Sequence, residues 1–473
     1  MVKQNQSNHT FTIEEIIADV DRHHHPVIHL SWLNRRKEHI FVEQLMTTVL
    51  WFNALTNQEV GALICLRRSL LAHQQMASRQ NDLDLVLAGD YYSARFYAYL
   101  VETRSVKRYQ PVLKGLEKYD LATGDCNDID AAIFTWFKQV DAAKMKEQGT
   151  ELKSQTFPLP LIDSESDFFN ALKHALIIGV ESLDTPLKDN LIELLISGKQ
   201  LRPLLVYLTH GEVNLSADAL KLAVVVEYLH TASLIHDDII DQANTRREGQ
   251  ALHRRVGNLE ALKLGNYLFT QSLLVLTDIN NDQIHRCISQ LMVSITTGEC
   301  DQQALRYQTD VSLRSYLRVI NNKTAMFIRT VSEASALLMD VSSVQLKHLR
   351  LFGEYFGMSY QIKDDLKDVL ADGAAGKDTR YDLQNGFLTM PYLMASQTTQ
   401  FRENLQLYFK TGDSVIEASL QSGEIFSQAV DATEKWQRHY LNKSMHHAKK
   451  LNNHDQRQAY LRLCGLLLVR IKR

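Results

Sequence analysis

The sequence predicts an all-α protein with more than one domain. Only seven of its 473 residues are prolines, well below the usual share of about 5%. Segments such as DALKLAVVVEYLHTASLIHDDIID (218–241) repeat apolar residues at intervals of three and four. This is the period of a helix, and no alternation with a period of two accompanies it. A chain of this length exceeds one ordinary hydrophobic core, so we expect at least two domains.

Charge and cysteine content exclude several classes of protein. The net charge of -3 gives no basic surface for nucleic acid. The five cysteines form no CxxC pair, which suits a reducing compartment better than a disulfide framework. The first residues, MVKQNQSNHT, are too polar for a signal peptide, and no apolar run approaches the roughly 20 residues that span a bilayer. We therefore expect a cytoplasmic protein that binds no nucleic acid.

A polar stretch divides the chain. KEQGTELKSQTFPLPLID (146–163) ends with Pro158 and Pro160, and Ser164 and Asp167 then have the spacing of a capping box. We predict a helical domain at 1–145, a linker at 146–163 and a larger domain at 164–473. The histidines at 23–25 precede Pro26 and are expected in a loop.

Two segments that otherwise resemble buried helix carry three aspartates each. SLIHDDIIDQANTRREG (233–249) contains the first set and SYQIKDDLKDVLADG (359–373) the second. On a helix, residues i and i+4 share a face, so Asp237 converges with Asp241 and Asp364 with Asp368. Carboxylates in an apolar setting need cations, and oxygen ligands favour magnesium shared with substrate phosphates. Two solvated acidic faces are the alternative.

Basic residues at several points favour a diphosphate ligand. Arg246 and Arg247 follow the first cluster and Lys377 follows the second. Lys199 and Arg202 lie in SGKQLRP, and Lys323 lies in NNKTAM. Metal ions on one side and guanidinium or ammonium donors on the other are what a diphosphate attracts.

These motifs resemble a known family. GKQLRP, HTASLIHDDIIDQANTRREGQALHRRVG, KTA and YQIKDDLKD…GKDTRYDLQNGFLTMP match, in order and spacing, the trans-polyprenyl diphosphate synthases. The resemblance covers roughly residues 165–473. It implies an isoprenoid-synthase-type helical bundle around a central cavity, beside the smaller N-terminal helical domain.

The resemblance also implies roles for individual residues. The expected ligands of about three Mg²⁺ ions are Asp237, Asp238, Asp241, Asp364, Asp365 and Asp368. Five of these, without Asp368, are expected to be catalytic together with Lys323. The expected partners of the allylic diphosphate are Arg246, Lys323, Thr324, Gln361 and Lys377. The expected pocket for the diphosphate of isopentenyl diphosphate contains Lys199, Arg202, His230 and Arg247.

The implied reaction needs no side-chain nucleophile. Clustered cations stabilise the departing diphosphate, the allylic C–O bond ionises, and the isopentenyl double bond attacks the cation. Two positions depart from the family pattern. Asn266 follows Gly265 where the family usually has aspartate, and Phe387 follows Gly386 where it often has lysine.

Small residues before the first cluster predict a long product. In the family, large residues four or five positions earlier cap the growing chain, and here Ser233 and Ala232 occupy these positions. The product tail is then expected to extend toward Leu229 and Tyr228, which predicts a product of about C30–C40 with heptaprenyl favoured. The alternative is that a facing helix closes the tunnel early.

The N-terminal domain resembles the regulatory component I of two-component heptaprenyl diphosphate synthases. The resemblance rests on DLDLVLAGDYYSARFYAYLVE (82–102), and it implies a natural fusion that packs on the catalytic domain and helps set chain length. LVLAGDYYSARF also echoes LKLGNYLFTQSL of the catalytic half, and SLLAHQQ echoes SLIHDD. Asp90, Tyr91, Tyr92 and Arg95 are candidate packing or interface residues. An unrelated helical extension is the alternative.

The predicted function is elongation of an allylic diphosphate, farnesyl diphosphate first, by isopentenyl diphosphate for quinone side chains. A geranylgeranyl-type synthase, a class I terpene cyclase and a non-catalytic prenyl-diphosphate-binding subunit are the alternatives. The family resemblance further implies a homodimer through the catalytic domain and transient membrane contact during product release.

Overall fold

The computed structural model describes residues 12–52, 55–78, 82–119, 128–137, 164–183, 187–211, 215–246, 249–370 and 381–468. The chain forms two compact units. The first unit comprises residues 1–154 and 235–282, and the second comprises residues 155–234 and 283–473. The predicted linker lies outside the described residues, so the proposed domain bounds stay predictions. Residues 235–282 group with the N-terminal helices, which a linear division of the sequence does not capture.

The all-α fold class is confirmed. In chain order the helices are α1 (Ile13–Arg22), α2 (Arg35–Phe52), α3 (Asn57–Ser78), α4 (Leu83–Glu102), α5 (Gln110–Glu117), α6 (128–137), α7 (Glu165–Ile178), α8 (Lys188–Ile196), α9 (Leu201–His210), α10 (Ala217–Ile240), α11 (Leu252–Val256), α12 (Asn258–Thr277), α13 (Asp282–Ala304), α14 (Leu313–Ile320), α15 (Met326–Leu337), α16 (Ser343–Leu370), α17 (Tyr381–Gln384), α18 (Met390–Ala395), α19 (Thr399–Thr411), α20 (Ser414–Gln421), α21 (Glu424–Ala448) and α22 (His454–Leu468).

Shorter elements complete the described chain. Two 3₁₀ turns lie at Leu30–Trp32 and Lys107–Tyr109, and a π turn at Asn321–Ala325 joins α14 to α15. One antiparallel ladder, β1 (Thr245–Arg246) with β2 (Gly249–Gln250), follows α10. None of the helices in the described ranges combines the length and apolar character needed to cross a bilayer.

The first unit is built around the packing of α3 against α4. A buried ion pair ties α3 to α2, because Arg68 donates from Nε and Nη2 to the two carboxylate oxygens of Glu38, at 2.7 and 2.9 Å. A bidentate partner offsets the cost of burying either charge. In the same unit α5 packs on α12, where Gln271 Nε2 donates to Glu117 Oε1 at 2.7 Å.

The histidine segment forms the predicted loop after α1. The hydroxyl of Tyr91 donates to the carbonyl of His23, and the His24 ring nitrogen Nδ1 lies 3.1 Å from the Tyr92 hydroxyl. Arg95 lies over the Tyr99 ring, 5.7 Å from its centroid. Three of the four candidate interface residues, Tyr91, Tyr92 and Arg95, therefore pack among the N-terminal helices themselves.

The second unit places α16 between α15 and α21. Two glycines of α16 permit close packing, one on the π turn at Asn321–Ala325 and the other on α15. A Cβ atom at Gly357 would lie 2.5 Å from the Cα of Ala325, and one at Gly353 would lie 2.7 Å from the Cα of Arg329. A hydrophobic cluster that includes Met358 and Ile362 of α16 surrounds this contact, and it holds the helix that carries the second aspartate set.

Candidate active site

The first aspartate set occupies the end of α10 and the turn after it. Asp237 and Asp241 are half-buried and lie on successive turns, where the amide of Asp241 donates to the carbonyl of Asp237 at 2.8 Å. Asp238 is buried on a different side of the helix. The predicted i, i+4 convergence therefore joins the first and third aspartates and leaves Asp238 in another role.

Arg246 engages Asp238. Its Nη2 and Nε lie 2.8 and 3.1 Å from the two oxygens of that carboxylate. The ladder that follows α10 brings the guanidinium back to the helix, since Arg246 ends β1. Sequence reasoning assigned Arg246 to substrate, and the structure shows that it also fixes one aspartate of the cluster. Arg247 lies outside the described residues.

The second aspartate set lies on α16 and is also divided between two sides. Asp364 is exposed, with 56% of its side chain accessible and Lys367 Nζ 3.6 Å away. Asp368, one turn later on the same face, is half-buried. Asp365 is buried. The predicted pairing of Asp364 with Asp368 therefore agrees with the helix geometry, and Asp365 points elsewhere.

Three protein donors hold Asp365. Oδ2 accepts the Tyr316 hydroxyl at 2.5 Å and the Met390 amide at 3.0 Å, and Oδ1 accepts Gln361 Nε2 at 3.1 Å. Burial raises the pKa of Asp365 to about 6, although these hydrogen bonds act in the lowering direction. A carboxylate accepts about four hydrogen bonds. Asp365 therefore has little capacity left for a metal ion, and its assignment as a ligand stays a prediction.

Thr324 and Gln361 form a relay to this carboxylate. Thr324 Oγ1 donates to Gln361 Oε1 at 2.8 Å, which turns the Gln361 amide toward Asp365. Both residues were predicted to contact substrate, and the structure shows them orienting Asp365. Sequence reasoning missed Tyr316, because a tyrosine two turns before the KTA motif carries no motif of its own.

Lys323 lies in the π turn at Asn321–Ala325 and pairs with Glu299 of α13. A π turn inserts an extra residue into a helix and is often found at functional sites. Gly298 accommodates it, since a Cβ there would lie 2.9 Å from the Cβ of Asn322. Lys377, the other predicted diphosphate contact from this half, lies outside the described residues.

Arg202 and His230 meet on one aromatic ring. The guanidinium carbon of Arg202 lies 4.4 Å from the centroid of Phe327, and His230 packs edge-on against the same ring at 6.0 Å. Burial lowers the pKa of Arg202 to about 10, and the charge of Glu227 partly opposes that effect. Lys199 is exposed just before Gln200, whose left-handed backbone (φ 45°) begins α9.

The chain-length candidates do not share one face. Ser233 and Leu229 are four residues apart and lie together, whereas Tyr228 is turned about 140° from Ser233 by helix geometry. Its hydroxyl donates to the carbonyl of Leu176 on α7 at 2.9 Å. Tyr228 therefore does not continue the face of Ser233, which corrects that part of the prediction. Ala232, four residues after Tyr228, is buried on the same side of α10 as that tyrosine.

Both departures from the family pattern have structural partners. The side-chain amide of Asn266 donates to Nδ1 of His73 at 3.1 Å, within the first unit. In the second unit the guanidinium carbon of Arg306 lies 5.3 Å from the centroid of the Phe387 ring. A cation therefore lies beside position 387, although the side chain there is apolar.

The donor sets fit magnesium that is shared with a substrate. Within the described residues no group of three or more His, Cys, Asp or Glu side chains is arranged to hold a metal ion by itself. Each cluster instead presents two carboxylates one turn apart. Magnesium is commonly bound through one or two carboxylates with phosphate oxygens and water in the remaining positions, so Asp237 with Asp241, and Asp364 with Asp368, suit that role.

Known proteins share these features. The family described as Polyprenyl synthetase matches residues 184–422, about half of the chain. Heptaprenyl diphosphate synthase component 2 of Geobacillus stearothermophilus is 32% identical over 284 residues, which are 59% of this chain and 89% of that protein. Decaprenyl-diphosphate synthase of Dictyostelium discoideum is 30% identical over 281 residues, which are 59% of this chain and 61% of that protein.

Solved structures agree with the sequence matches. The crystal structure of heptaprenyl diphosphate synthase from Staphylococcus aureus superposes with a TM-score of 0.60 at 26% identity, covering 64% of this chain and 98% of that chain. Geranylgeranyl pyrophosphate synthase from Lactobacillus brevis gives a TM-score of 0.60 at 27% identity, covering 64% and 96%. The chain belongs to the polyprenyl synthetase family and is a prenyltransferase of the trans-polyprenyl diphosphate synthase class.

Proposed function

We propose that the chain elongates an allylic primer, farnesyl diphosphate first, with isopentenyl diphosphate to a heptaprenyl-class product of about C30–C40. The observation that carries this proposal is the pair of carboxylates presented one turn apart in each aspartate set. The small side chain at Ser233 supports a long product. A relative named heptaprenyl diphosphate synthase component 2 supports this length class, and one named decaprenyl-diphosphate synthase supports a long product in general. A quinone side chain is the proposed use of the product.

The chain's own residues would bind and orient the substrates. Asp237, Asp241, Asp364 and Asp368 would hold magnesium, which when bound supplies charge stabilisation for a departing diphosphate. Arg202 and His230, fixed against Phe327, would hold the second diphosphate. The network around Asp365 keeps α16 in one rotational setting, so Asp364 stays exposed. Apolar surface along the face of Ser233 would keep water from the growing chain.

A product assay tests the proposal. Farnesyl diphosphate, labelled isopentenyl diphosphate and Mg²⁺ should give a prenyl diphosphate longer than twenty carbons, identified by chromatography. Asp364→Asn should abolish elongation, and Asp455→Asn, an exposed carboxylate of α22, should not. A twenty-carbon end product would favour the geranylgeranyl-type alternative. Hydrocarbon without isopentenyl diphosphate would indicate a cyclase, and no turnover would indicate a binding subunit.

We further propose that the N-terminal helices act as a component I-like partner fused to the catalytic half. One relative is named component 2 of a heptaprenyl diphosphate synthase, a name that supports this idea. The LAGDYYS segment on α4 supports it as well. The contact of Glu117 with Gln271 joins the two halves of the chain within the first unit. Glu117→Lys in the full chain should therefore alter product length, while the exposed substitution Glu102→Lys should leave it unchanged.

A further inference from the structure

Within the first unit, α3 with α4 and the end of α10 with α12 carry the same residue pattern. When His73 is aligned with His236, Gln74 and Gln75 fall at the positions of Asp237 and Asp238. When Gly89 is aligned with Gly265, Asp90 falls at the position of Asn266, and a tyrosine follows in both copies. Amides replace the carboxylates in the N-terminal copy, so that copy lacks the ligands for a metal ion.

The structure gives both copies the same internal contact. The His73 ring lies so close to Gly89 that a Cβ there would be 2.0 Å from Nε2, and the His236 ring lies against Gly265 with a corresponding distance of 2.1 Å. In each copy a histidine near the end of one helix therefore packs on a glycine of the next. Glycine is required at both positions because any side chain would displace the ring.

The connecting segments account for the different spacing of the two copies. Residues 79–82 connect α3 to α4, and residues 241–257 connect α10 to α12. The second connection is 13 residues longer, because it contains the ladder and α11. The separation from histidine to glycine differs by the same 13 residues, so outside the connections the two copies have the same total number of residues between the histidine and the glycine.

The contacts between the copies are reciprocal. His236 Nδ1 donates to Asp90 Oδ2 at 2.8 Å, and Asn266 Nδ2 donates to His73 Nδ1 at 3.1 Å. Each histidine therefore meets the residue that follows the other copy's glycine. The two imidazole centroids lie 6.1 Å apart. About a twofold axis, if residue i of the first copy contacts residue j of the second, then residue j of the first copy contacts residue i of the second. His73, Asp90, His236 and Asn266 follow that rule.

The cluster holds one carboxylate for two histidines. Burial opposes ionisation of Asp90, but the charge and hydrogen bond of His236, with His73 as a second donor, lower its pKa. The Asn266 amide occupies Nδ1 of His73, which leaves the other ring nitrogen facing Asp90 at 3.4 Å. Asp90 therefore hydrogen-bonds to His236, while Nδ1 of His73 accepts from a neutral amide.

We propose that α3–α4 is a degenerate second copy of α10–α12 that pairs with it about an approximate twofold axis, supplying in Asp90 the carboxylate that the catalytic copy lacks at Asn266. This inference goes beyond the proposed function, since it concerns pairing and not product. Two catalytic copies paired through this face would bury His236 twice, with Asn266 in place of the carboxylate that hydrogen-bonds to the ring. The surface formed by His236 and Asn266 therefore pairs with the N-terminal copy and not with a second catalytic domain. This differs from the expectation of a homodimer through the catalytic domain.

Hydrogen–deuterium exchange of the full-length chain tests the pairing. Asp90→Asn leaves His236 without its charged partner, so exchange of peptides within 83–95 and 235–243 should become at least about tenfold faster. The double variant Asp90→Asn/Asn266→Asp moves the carboxylate to the other copy. Because the two positions are equivalent in the pairing, protection should return. Asp84→Asn, an exposed carboxylate on the same helix, is the control and should exchange at the wild-type rate.

The double variant decides the proposal. Protection no better than in Asp90→Asn would overturn it, because residues 90 and 266 would then not be equivalent. Should Asp90→Asn fail to fold by circular dichroism, Asn266→Asp alone is informative. It gives each histidine a carboxylate, so both peptides should be at least as protected as in the wild type, and faster exchange there would overturn the pairing. None of these readouts depends on prenyl product, so the result is separable from the proposed function.

Discussion

Tyr316 donates a hydrogen bond of 2.5 Å to Oδ2 of Asp365, and both side chains are buried. The bond ties α14 to α16 behind the exposed face that carries Asp364. It leaves the second aspartate of the motif facing the protein interior. Side chains that hydrogen-bond to and orient ligating carboxylates commonly cost about 10–100-fold in metal affinity or activity when they are replaced.

Tyr316→Phe should therefore lower kcat/KM about tenfold or more while the fold is kept. The change removes one donor from Asp365 and preserves the ring in its apolar surroundings. Steady-state elongation assays measure the effect. Tyr408→Phe is the matched control, since its hydroxyl contacts Glu417 in the same unit and its loss should leave turnover unchanged. Equal turnover in the two variants would contradict the role given to Tyr316.

Ser233→Phe should shorten the product. Ser233 is half-buried and shares its face of α10 with Leu229, so an aromatic ring there narrows the space along that face. Chromatography of the extracted prenyl products measures the length. Tyr228→Phe should leave the length unchanged, because Tyr228 points to α7. It should cost about 1 kcal/mol of stability through the lost hydrogen bond to Leu176. A shortened product from Tyr228→Phe would instead indicate that Tyr228 lies along the path of the product tail.

Gly357→Ala should destabilise the second unit by about 2–3 kcal/mol. The added Cβ would lie 2.5 Å from the Cα of Ala325, a backbone atom that yields only if the π turn moves away from α16. Urea unfolding measures the change. Gly465→Ala is the control on α22, where an added Cβ meets nothing within 4 Å. It should raise the free energy of unfolding by about 0.5–1 kcal/mol. Comparable losses in both variants would contradict the close packing at Gly357.

His253 should make the protein sensitive to acid. Burial, followed by the charge of Arg254, lowers its pKa from 6.5 to about 4, and neither ring nitrogen has a hydrogen-bond partner among the described residues. The unfolded chain therefore binds the proton more readily, and the free energy of unfolding should fall as pH decreases from about 6.5 toward about 4. His253→Gln should flatten the pH dependence over that window. An unchanged slope would show that His253 titrates normally.

The sequence predicts the all-α fold and the helical positions of both aspartate sets, because these depend on local periodicity. Asp237 with Asp241, and Asp364 with Asp368, follow from a spacing of four residues alone. The roles of Asp238 and Asp365 depend on partners distant in the chain. A single sequence does not show that Arg246 returns to Asp238, or that Tyr316 and the amide of Met390 converge on Asp365.

The sequence alone also does not show that residues 235–282 group with the N-terminal helices. The echo of LAGDYYS in LKLGNYLF is visible, but the 13-residue difference in spacing weakens it as a linear pattern. Only the structure shows that the extra residues lie in a connection. Tyr228 is a different case, because helical spacing alone already separates it from the face of Ser233. Only its hydrogen bond to the carbonyl of Leu176 required the structure.

The π turn at Asn321–Ala325 sets the angular register between α14 and α15. Removing a single residue from it would restore an ordinary helix and rotate everything before it by about 100°. Tyr316 would then lose its hydrogen bond to Asp365, although no motif residue had been altered. Evolution of this segment is consequently constrained in length as well as in composition, and insertions or deletions should be tolerated there far less than substitutions.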